Sequence, residues 1–217
     1  MKILAFNGSP KMDKGNTALI LNPFIQGMKE AGAEADLLYT KLLDIRPCQG
    51  ELSCWQKNPR RCFQDDGMRE IYDKLDADLL VFASPVYIWG MSGPMKNLLD
   101  RMMNVMPLKE RKVILVSSCG FWGMDNFDAL MLHMKTICRY TNWEFAGALL
   151  RPHAAALKIM LEMGKPVNDV IEAAKQAGRQ LIEGGRISEE TLDTVSRELV
   201  PLEVWEERVR ARYQANN

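Results

Sequence analysis

"KILAFNGSPKMDKGNTALIL", residues 2–21, runs from a short apolar strand into a polar hinge and out again as an apolar helix. Lys2 to Phe6 has the continuous apolar character of a strand covered on both faces. From Asn16 to Ala31, the residues Leu19, Ile20, Phe24 and Met28 recur at helical spacing, and Gly32 is a natural stop. The same alternation continues along the chain. Ala35–Tyr39, Leu79–Ser84 ("LLVFAS"), Lys112–Ser118 ("KVILVSS") and Trp143–Leu150 ("WEFAGALL") read as further strands. Helices are predicted over Pro94–Met106, where Leu98, Leu99, Met102, Met103 and Met106 share a face, over Phe127–Tyr140 and over Val167–Ile182. Strands alternating with helices require crossover connections, and crossovers make the strands parallel. The expectation is an α/β fold: a doubly wound, five-stranded parallel sheet with helices on both faces, over residues 1–184.

Bulk properties narrow the function classes. With 217 residues the chain is long enough for one sizeable core. Lys plus Arg and Asp plus Glu both number 28, so there is no basic excess of the kind that nucleic-acid binding demands. No run of about 18 apolar residues is present, so no membrane span is expected. "MKILAFNGSP" is too short in apolar residues for a signal peptide, and five cysteines, an odd number, suit a reducing compartment. The expected location is the cytoplasm. After "EGGRIS" (residues 183–188) the pattern changes to a charged, amphipathic extension, 185–217, with Leu202, Trp205, Val209 and Tyr213 at helical spacing. It is read either as a helix packed on its own core or as a dimer contact.

In open parallel sheets ligands sit beyond the carboxyl ends of the strands, where the strand order reverses. Three loops there are unusual. The first, between Phe6 and Asn16, combines Ser9, Lys11, Asn16 and Thr17 with two glycines in front of a helix N-terminus, where free amides and the helix dipole favour an anion. It contains no GxxxxGK[ST] and no GxGxxG, so a single phosphate is expected rather than a hydrolysed nucleotide or a dinucleotide. A merely structural polar turn is the competing reading. The second loop, "SPVYIWGMSGP" (residues 84–94), sets Tyr87 and Trp89 beside flexible backbone, which suits stacking on a flat ring. The third, "SSCGFWGMDNF" (residues 117–127), repeats the pattern with Phe121 and Trp122. A planar heterocycle carrying one phosphate fits all three, and FMN is the candidate.

The motifs "GSPKMDKGNT" (8–17), "DDGM" (65–68), "ASPVYIWGMSGPMKNLLDR" (83–101) and "SSCGF" (117–121) together resemble the flavodoxin-like NAD(P)H-dependent FMN reductases, in the branch that includes the iron–sulfur flavoproteins. The resemblance implies strand order 2-1-3-4-5, FMN at the C-terminal edge of the sheet, and a homodimer or homotetramer. It implies that Ser9, Lys11, Asn16 and Thr17 hold the phosphate. Pro85, Val86, Tyr87, Ile88, Trp89 and Gly90 would border one side of the flavin ring, and Ser118, Cys119, Gly120 and Phe121 the other edge. Arg101 would either approach the flavin or pair with Asp100.

Between the second strand and the second helix lies a long connection, "IRPCQGELSCWQKNPRRCFQDDGM" (residues 45–68). Its cysteines Cys48, Cys54 and Cys62 are one short of the four thiolates that close a cubane cluster. In relatives of the resembled branch a further cysteine falls where this chain has Glu51. An iron–sulfur cluster is therefore disfavoured. A bound metal, a redox-active thiol pair and ordinary reduced thiols in a substrate-lining loop all remain open. His133 and His153 are isolated and expected to be structural.

The expected function is an FMN-dependent oxidoreductase that takes hydride from NAD(P)H and reduces a quinone, flavin or other small acceptor, with no catalytic side chain assigned because the flavin carries the chemistry. An iron–sulfur electron carrier and a non-catalytic flavin sensor are the alternatives.

Overall fold

The computed structural model describes residues 1–57, 62–102 and 110–214. Five strands, β1 (Lys2–Asn7), β2 (Glu34–Tyr39), β3 (Leu79–Pro85), β4 (Lys112–Ser118) and β5 (Glu144–Arg151), form one parallel sheet of order β2-β1-β3-β4-β5. The helices are α1 (Ala18–Glu30), α2 (Ser53–Gln56), α3 (Met68–Lys74), α4 (Gly93–Arg101), α5 (Asp128–Thr141), α6 (Ala154–Glu162), α7 (Asn168–Gly184), α8 (Glu189–Ser196) and α9 (Leu202–Gln214). The expected class and strand order are both found.

Because successive side chains of a strand point to opposite faces, each strand feeds two cores. Ile3, Ala5, Val81, Ala83, Ile114 and Val116 face α1, α6 and α7; Leu4, Phe6, Leu80, Phe82, Val113 and Leu115 face α3, α4 and α5. The rings of Phe6 and Phe82 stack at 5.7 Å in the second core. On the first face α1 crosses α7 at glycines, and Glu30 of α1 accepts hydrogen bonds from Lys175 (2.6 Å) and Arg179 of α7. Those two cations hold the Glu30 carboxyl down at about 2.

Two differences from the sequence reading concern helices. The predicted helix over Pro94–Met106 is seen to Arg101, with Met95 and Met102 in the core; Met103 and Met106 lie outside the described residues. Helix α6 was not anticipated. In the extension, α8 packs on α7 and β5, and Val195 joins the first core. No helix among the described residues is long and apolar enough to cross a membrane.

Candidate functional site

The strand order reverses between β1 and β3, so the loops after these strands, with the loop after β4 beside them, meet at one rim of the sheet. Buried hydroxyls stitch the three together. Ser92 Oγ donates to the Gly8 carbonyl (2.6 Å), Ser92 N donates to Ser84 Oγ (2.9 Å), and Ser117 Oγ donates to the Ser84 carbonyl (2.7 Å). Thr17 Oγ1 and Ser118 Oγ lie 2.7 Å apart, joining the first loop to the third. A small hydroxyl ending an apolar strand is the only local signal for this network; its long-range partners are invisible in the sequence.

In the first loop, Asn7 is fully buried and its side chain accepts the Ser9 amide (2.9 Å), forming the turn that lifts the chain off β1. Ser9 Oγ in turn accepts the Lys11 amide at 3.3 Å. The turn is tight: a Cβ on Gly15 would lie 2.5 Å from Ser9 Oγ, and one on Gly8 would lie 2.8 Å from the Met95 side chain. Ahead of α1, the amides of Ala18, Leu19 and Ile20 donate to Gly15, Asn16 and Thr17, whereas the amides of Asn16 and Thr17 find no acceptor among the described residues. These are two donors at a helix N-terminus, with the exposed Lys11 and Lys14 nearby in sequence. The Thr17 hydroxyl faces Ser118 inside the protein, which leaves the Thr17 amide as its group open to an anion.

The second loop turns sharply. Tyr87 and Gly90 exchange backbone hydrogen bonds (2.9 and 3.1 Å), leaving Ile88 and Trp89 as a two-residue tip with φ of +48° and +55°. Both signs match a type I′ turn, which favours asparagine and glycine, yet the tip carries a β-branched residue and an indole. Each left-handed non-glycine residue costs about 1–2 kcal/mol. Nothing in the packing recovers this for Ile88, which is 88% exposed. Ile88→Asn is therefore expected to stabilise the protein by about 1 kcal/mol, raising Tm by roughly 2–4 °C in a thermal melt; an unchanged or lower Tm would remove the strain argument.

Trp89 stacks on Phe121 of the third loop, centroids 6.5 Å apart and planes within 11°. Both rings are more than half exposed, as are few large apolar side chains elsewhere on this rim. A Cβ at Gly93 or Gly120 would meet nothing within 4 Å, so the backbone of both loops borders open space. Cys119, in contrast, is buried; its sulfur accepts the Phe121 amide (3.4 Å), and burial pushes its thiol up, so it is a protonated spacer and not a nucleophile. Val86 N donates to the Ser118 carbonyl (2.8 Å), and Pro85 is buried at the end of β3.

Arg101 corrects an expectation. Asp100 is not its partner: Lys96 takes Asp100 (2.6 Å), and Arg101, almost wholly buried, forms a two-pronged pair with Asp66 at 2.5 and 3.0 Å. Asp66 also accepts the amides of Arg46 and Met68, and Arg101 donates to the Arg46 carbonyl. Burial by itself would raise the Asp66 pKa, but these donors outweigh it and hold the carboxyl below the usual range. Arg101 thus anchors the cysteine-bearing connection instead of reaching the rim.

Cys48, Cys54 and Cys62 line one small cavity with Glu51, Gln64 and Arg101. Burial, then the proximity of Cys62, Glu51 and Cys48, raises the Cys54 thiol. Among the described residues no group of three His, Cys, Asp or Glu side chains is arranged to hold a metal ion. Three thiols with a glutamate are one short of the four thiolates that close a cubane, so a fourth ligand to an iron–sulfur cluster would have to be a carboxylate or none.

His153 went unassigned in the sequence. It is fully buried at φ +35°, between the rings of Trp122 (6.1 Å) and Trp205 (6.3 Å), and neither ring nitrogen has a hydrogen-bond partner among the described residues. Burial, reinforced by the neighbouring Arg151 charge, lowers its pKa to about 4 and keeps it neutral.

A three-layer α/β domain of order 2-1-3-4-5, with free amides and exposed aromatics at its switch point, has the architecture of the flavodoxin-like proteins. The family model described as NADPH-dependent FMN reductase matches residues 1–143, and the chain belongs to that family. It is 35% identical over 102 residues to an iron–sulfur flavoprotein of Archaeoglobus fulgidus (46% of this chain, 48% of the relative), and 33% identical over 102 residues to another from Methanocaldococcus jannaschii (46% and 51%). The match spans about half the length of these relatives. Among solved structures, an NAD(P)H:quinone oxidoreductase from Methanothermobacter marburgensis aligns with TM-score 0.59 at 16% identity, over 83% of this chain and 96% of that one, a likeness of fold.

Proposed function

We propose that the protein is a cytoplasmic FMN-dependent oxidoreductase that draws hydride from NAD(P)H and delivers electrons to a quinone, flavin or other small acceptor. The observation that carries this reading is the pair of acceptor-less amides, Asn16 and Thr17, at the start of α1, on the same rim as the Trp89–Phe121 stack. The groups present fit FMN: donors for one anion, flat apolar surfaces for a ring, and open backbone at Gly93 and Gly120 for its polar edge. Five free cysteines accord with a reducing compartment.

In this reading Ser9, Lys11, Asn16 and Thr17 hold the phosphate, Lys11 by charge and the others by amide or hydroxyl. Pro85, Val86, Tyr87, Ile88, Trp89 and Gly90 border the ring from the second loop; Ser118, Cys119, Gly120 and Phe121 border it from the third. FMN, when bound, supplies the hydride-accepting and electron-donating chemistry. The chain orients and shields it. Tyr87, Trp89 and Phe121 exclude water from one face, and no acid or base is required of the loops, consistent with a Cys119 thiol kept neutral by burial. The exposed rim formed by Ile88, Trp89 and Phe121 suits closure by a second subunit, so we read the working form as a homodimer or homotetramer. In this scheme Cys48, Cys54 and Cys62 are reduced thiols in the connection between β2 and α3.

The test is a fluorescence titration of flavin-free protein. A phosphate cradle predicts that FMN binds at least about 100-fold more tightly than riboflavin, roughly 3 kcal/mol. NADPH or NADH should then bleach the bound flavin without oxygen. Equal affinities would remove the cradle; tight FMN that neither nicotinamide bleaches would leave a flavin-binding protein that is not a reductase.

A further inference from the structure

The C-terminal segment returns to the rim from far along the chain and grips the third loop through buried groups. Trp122 Nε1 donates to the Val200 carbonyl (3.0 Å). Arg151, at the end of β5, donates to the carbonyls of Val195 (2.7 Å), Ser196 (3.2 Å) and Arg197 (2.6 Å), and through Nε to Pro152 (2.7 Å). It is wholly buried, and among the described residues no carboxylate is hydrogen-bonded to it. Burial, with the nearby Arg197 charge, lowers its pKa to about 10. A guanidinium is poor core filler, since its desolvation must be met in full by acceptors. Here the acceptors are the otherwise unsatisfied carbonyls at the C-terminal end of α8, where a cation also meets the negative end of the helix dipole.

The same junction holds the loop backbone. Cys119 N donates to the Arg151 carbonyl (2.9 Å), His153 N to the Phe121 carbonyl (2.6 Å) and Ala154 N to the Cys119 carbonyl (2.9 Å). The left-handed φ of His153 lets two successive amides, 153 and 154, face the loop, and its ring is clamped between Trp122 and Trp205 of α9. One side of this assembly is the segment 195–205; the other is Phe121, stacked on Trp89.

We propose that residues 195–205 are a strap that fixes the third loop, with Trp122 and Arg151 as positioning residues that set how Phe121 and the Cys119–Gly120 backbone meet the flavin. The positioning role rests on the flavin reading above; the strap itself does not. Trp122→Phe keeps an aromatic ring beside His153 while removing the N–H that bonds to Val200, along with the smaller ring of the indole. Arg151→Met keeps most of the volume and removes the bonds to residues 195–197.

The experiment measures amide hydrogen exchange in full-length protein without added flavin, then the visible circular dichroism of FMN-loaded protein and KM for an acceptor such as menadione. Trp122→Phe should speed exchange at residues 119–123 about tenfold while leaving β1 and α1 unchanged. It should also alter the flavin dichroism and raise KM severalfold, with the FMN-to-riboflavin preference, which reports on the first loop, intact. Arg151→Met should move the same readouts further in the same direction; if it does not fold, the Trp122→Phe result decides alone. Unchanged exchange at 119–123 in Trp122→Phe overturns the strap. Faster exchange with unaltered dichroism and KM overturns the positioning role. Failure of the underlying reading shows separately, as unsubstituted protein that takes up no FMN.

Discussion

Asp66→Ala is expected to cost about 3–5 kcal/mol, because it strands the guanidinium of Arg101 in a nearly solvent-free site. The side chains of both partners are essentially unexposed, and the carboxylate also terminates the amides of Arg46 and Met68, so four donors lose a bond at once. Among the described residues only Arg101 Nη1 keeps another acceptor, the Arg46 carbonyl. In a chain of this size the loss corresponds to a fall in Tm of about 6–20 °C. Asp66→Ala with Arg101→Met should recover a large part of it, since the uncompensated charge is removed together with its partner. The depressed Asp66 carboxyl also fixes the sign of the pH effect. Its contribution is fully present above the ordinary carboxylate range and is lost as pH falls through the folded value, so the unsubstituted protein should lose stability in acid more steeply than the double variant. Urea melts of the three proteins at neutral pH and near pH 3 provide the check. A single-variant loss below about 1 kcal/mol would mean that water reaches Arg101.

This pair shows what the sequence could and could not convey. "DDGM" and "KNLLDR" were both recognisable as motifs, but no local feature said that Asp66 and Arg101, 35 residues apart, complete each other. The strands were legible because a strand covered on both faces must be apolar throughout, and the glycine–aromatic loops because small and flat side chains together are unusual at strand ends. Helix α6 was hidden by its entry: "RPH" offers no capping side chain, and the turn is made by a histidine in the left-handed region. Nothing local marks Arg151 and His153, at a strand end, as interior residues. They are interior because a segment 44 or more residues onward folds back over them. That the Thr17 hydroxyl meets Ser118, 101 residues away, is equally absent from the local pattern. In each case the missing information is a tertiary contact, which periodicity does not encode.

Gly178→Ala should destabilise the protein by about 2–4 kcal/mol even though it replaces the weaker helix former with the strongest. On propensity alone alanine in mid-helix gains about 1 kcal/mol over glycine. The crossing of α7 on α1 reverses the sign. A Cβ at Gly178 would lie 2.1 Å from the Phe24 carbonyl oxygen and 2.8 Å from the Met28 amide, and one at Gly27 would lie 1.8 Å from the Lys175 carbonyl. The obstructing atoms are backbone, so no rotamer change can admit the methyl and the helices must separate. Separation opens gaps around Phe24, Met28, Ala174 and Ala177, all buried at this seam. Gly184, in the last turn of α7 with nothing within 4 Å of its Cβ position, is the control, and Gly184→Ala should be neutral or slightly stabilising. Combining Gly27→Ala with Gly178→Ala should cost less than the two alone, since the first displacement already makes room for the second methyl. Helix α1 also carries the Asn16 and Thr17 amides at its N-terminus, so the shift should weaken FMN more than riboflavin, a coupling that Asp66→Ala, on the other face of the sheet, should not reproduce. Denaturant melts with parallel flavin titrations test both parts; a Gly178→Ala protein as stable as the parent would show that the two helices do not meet backbone to backbone.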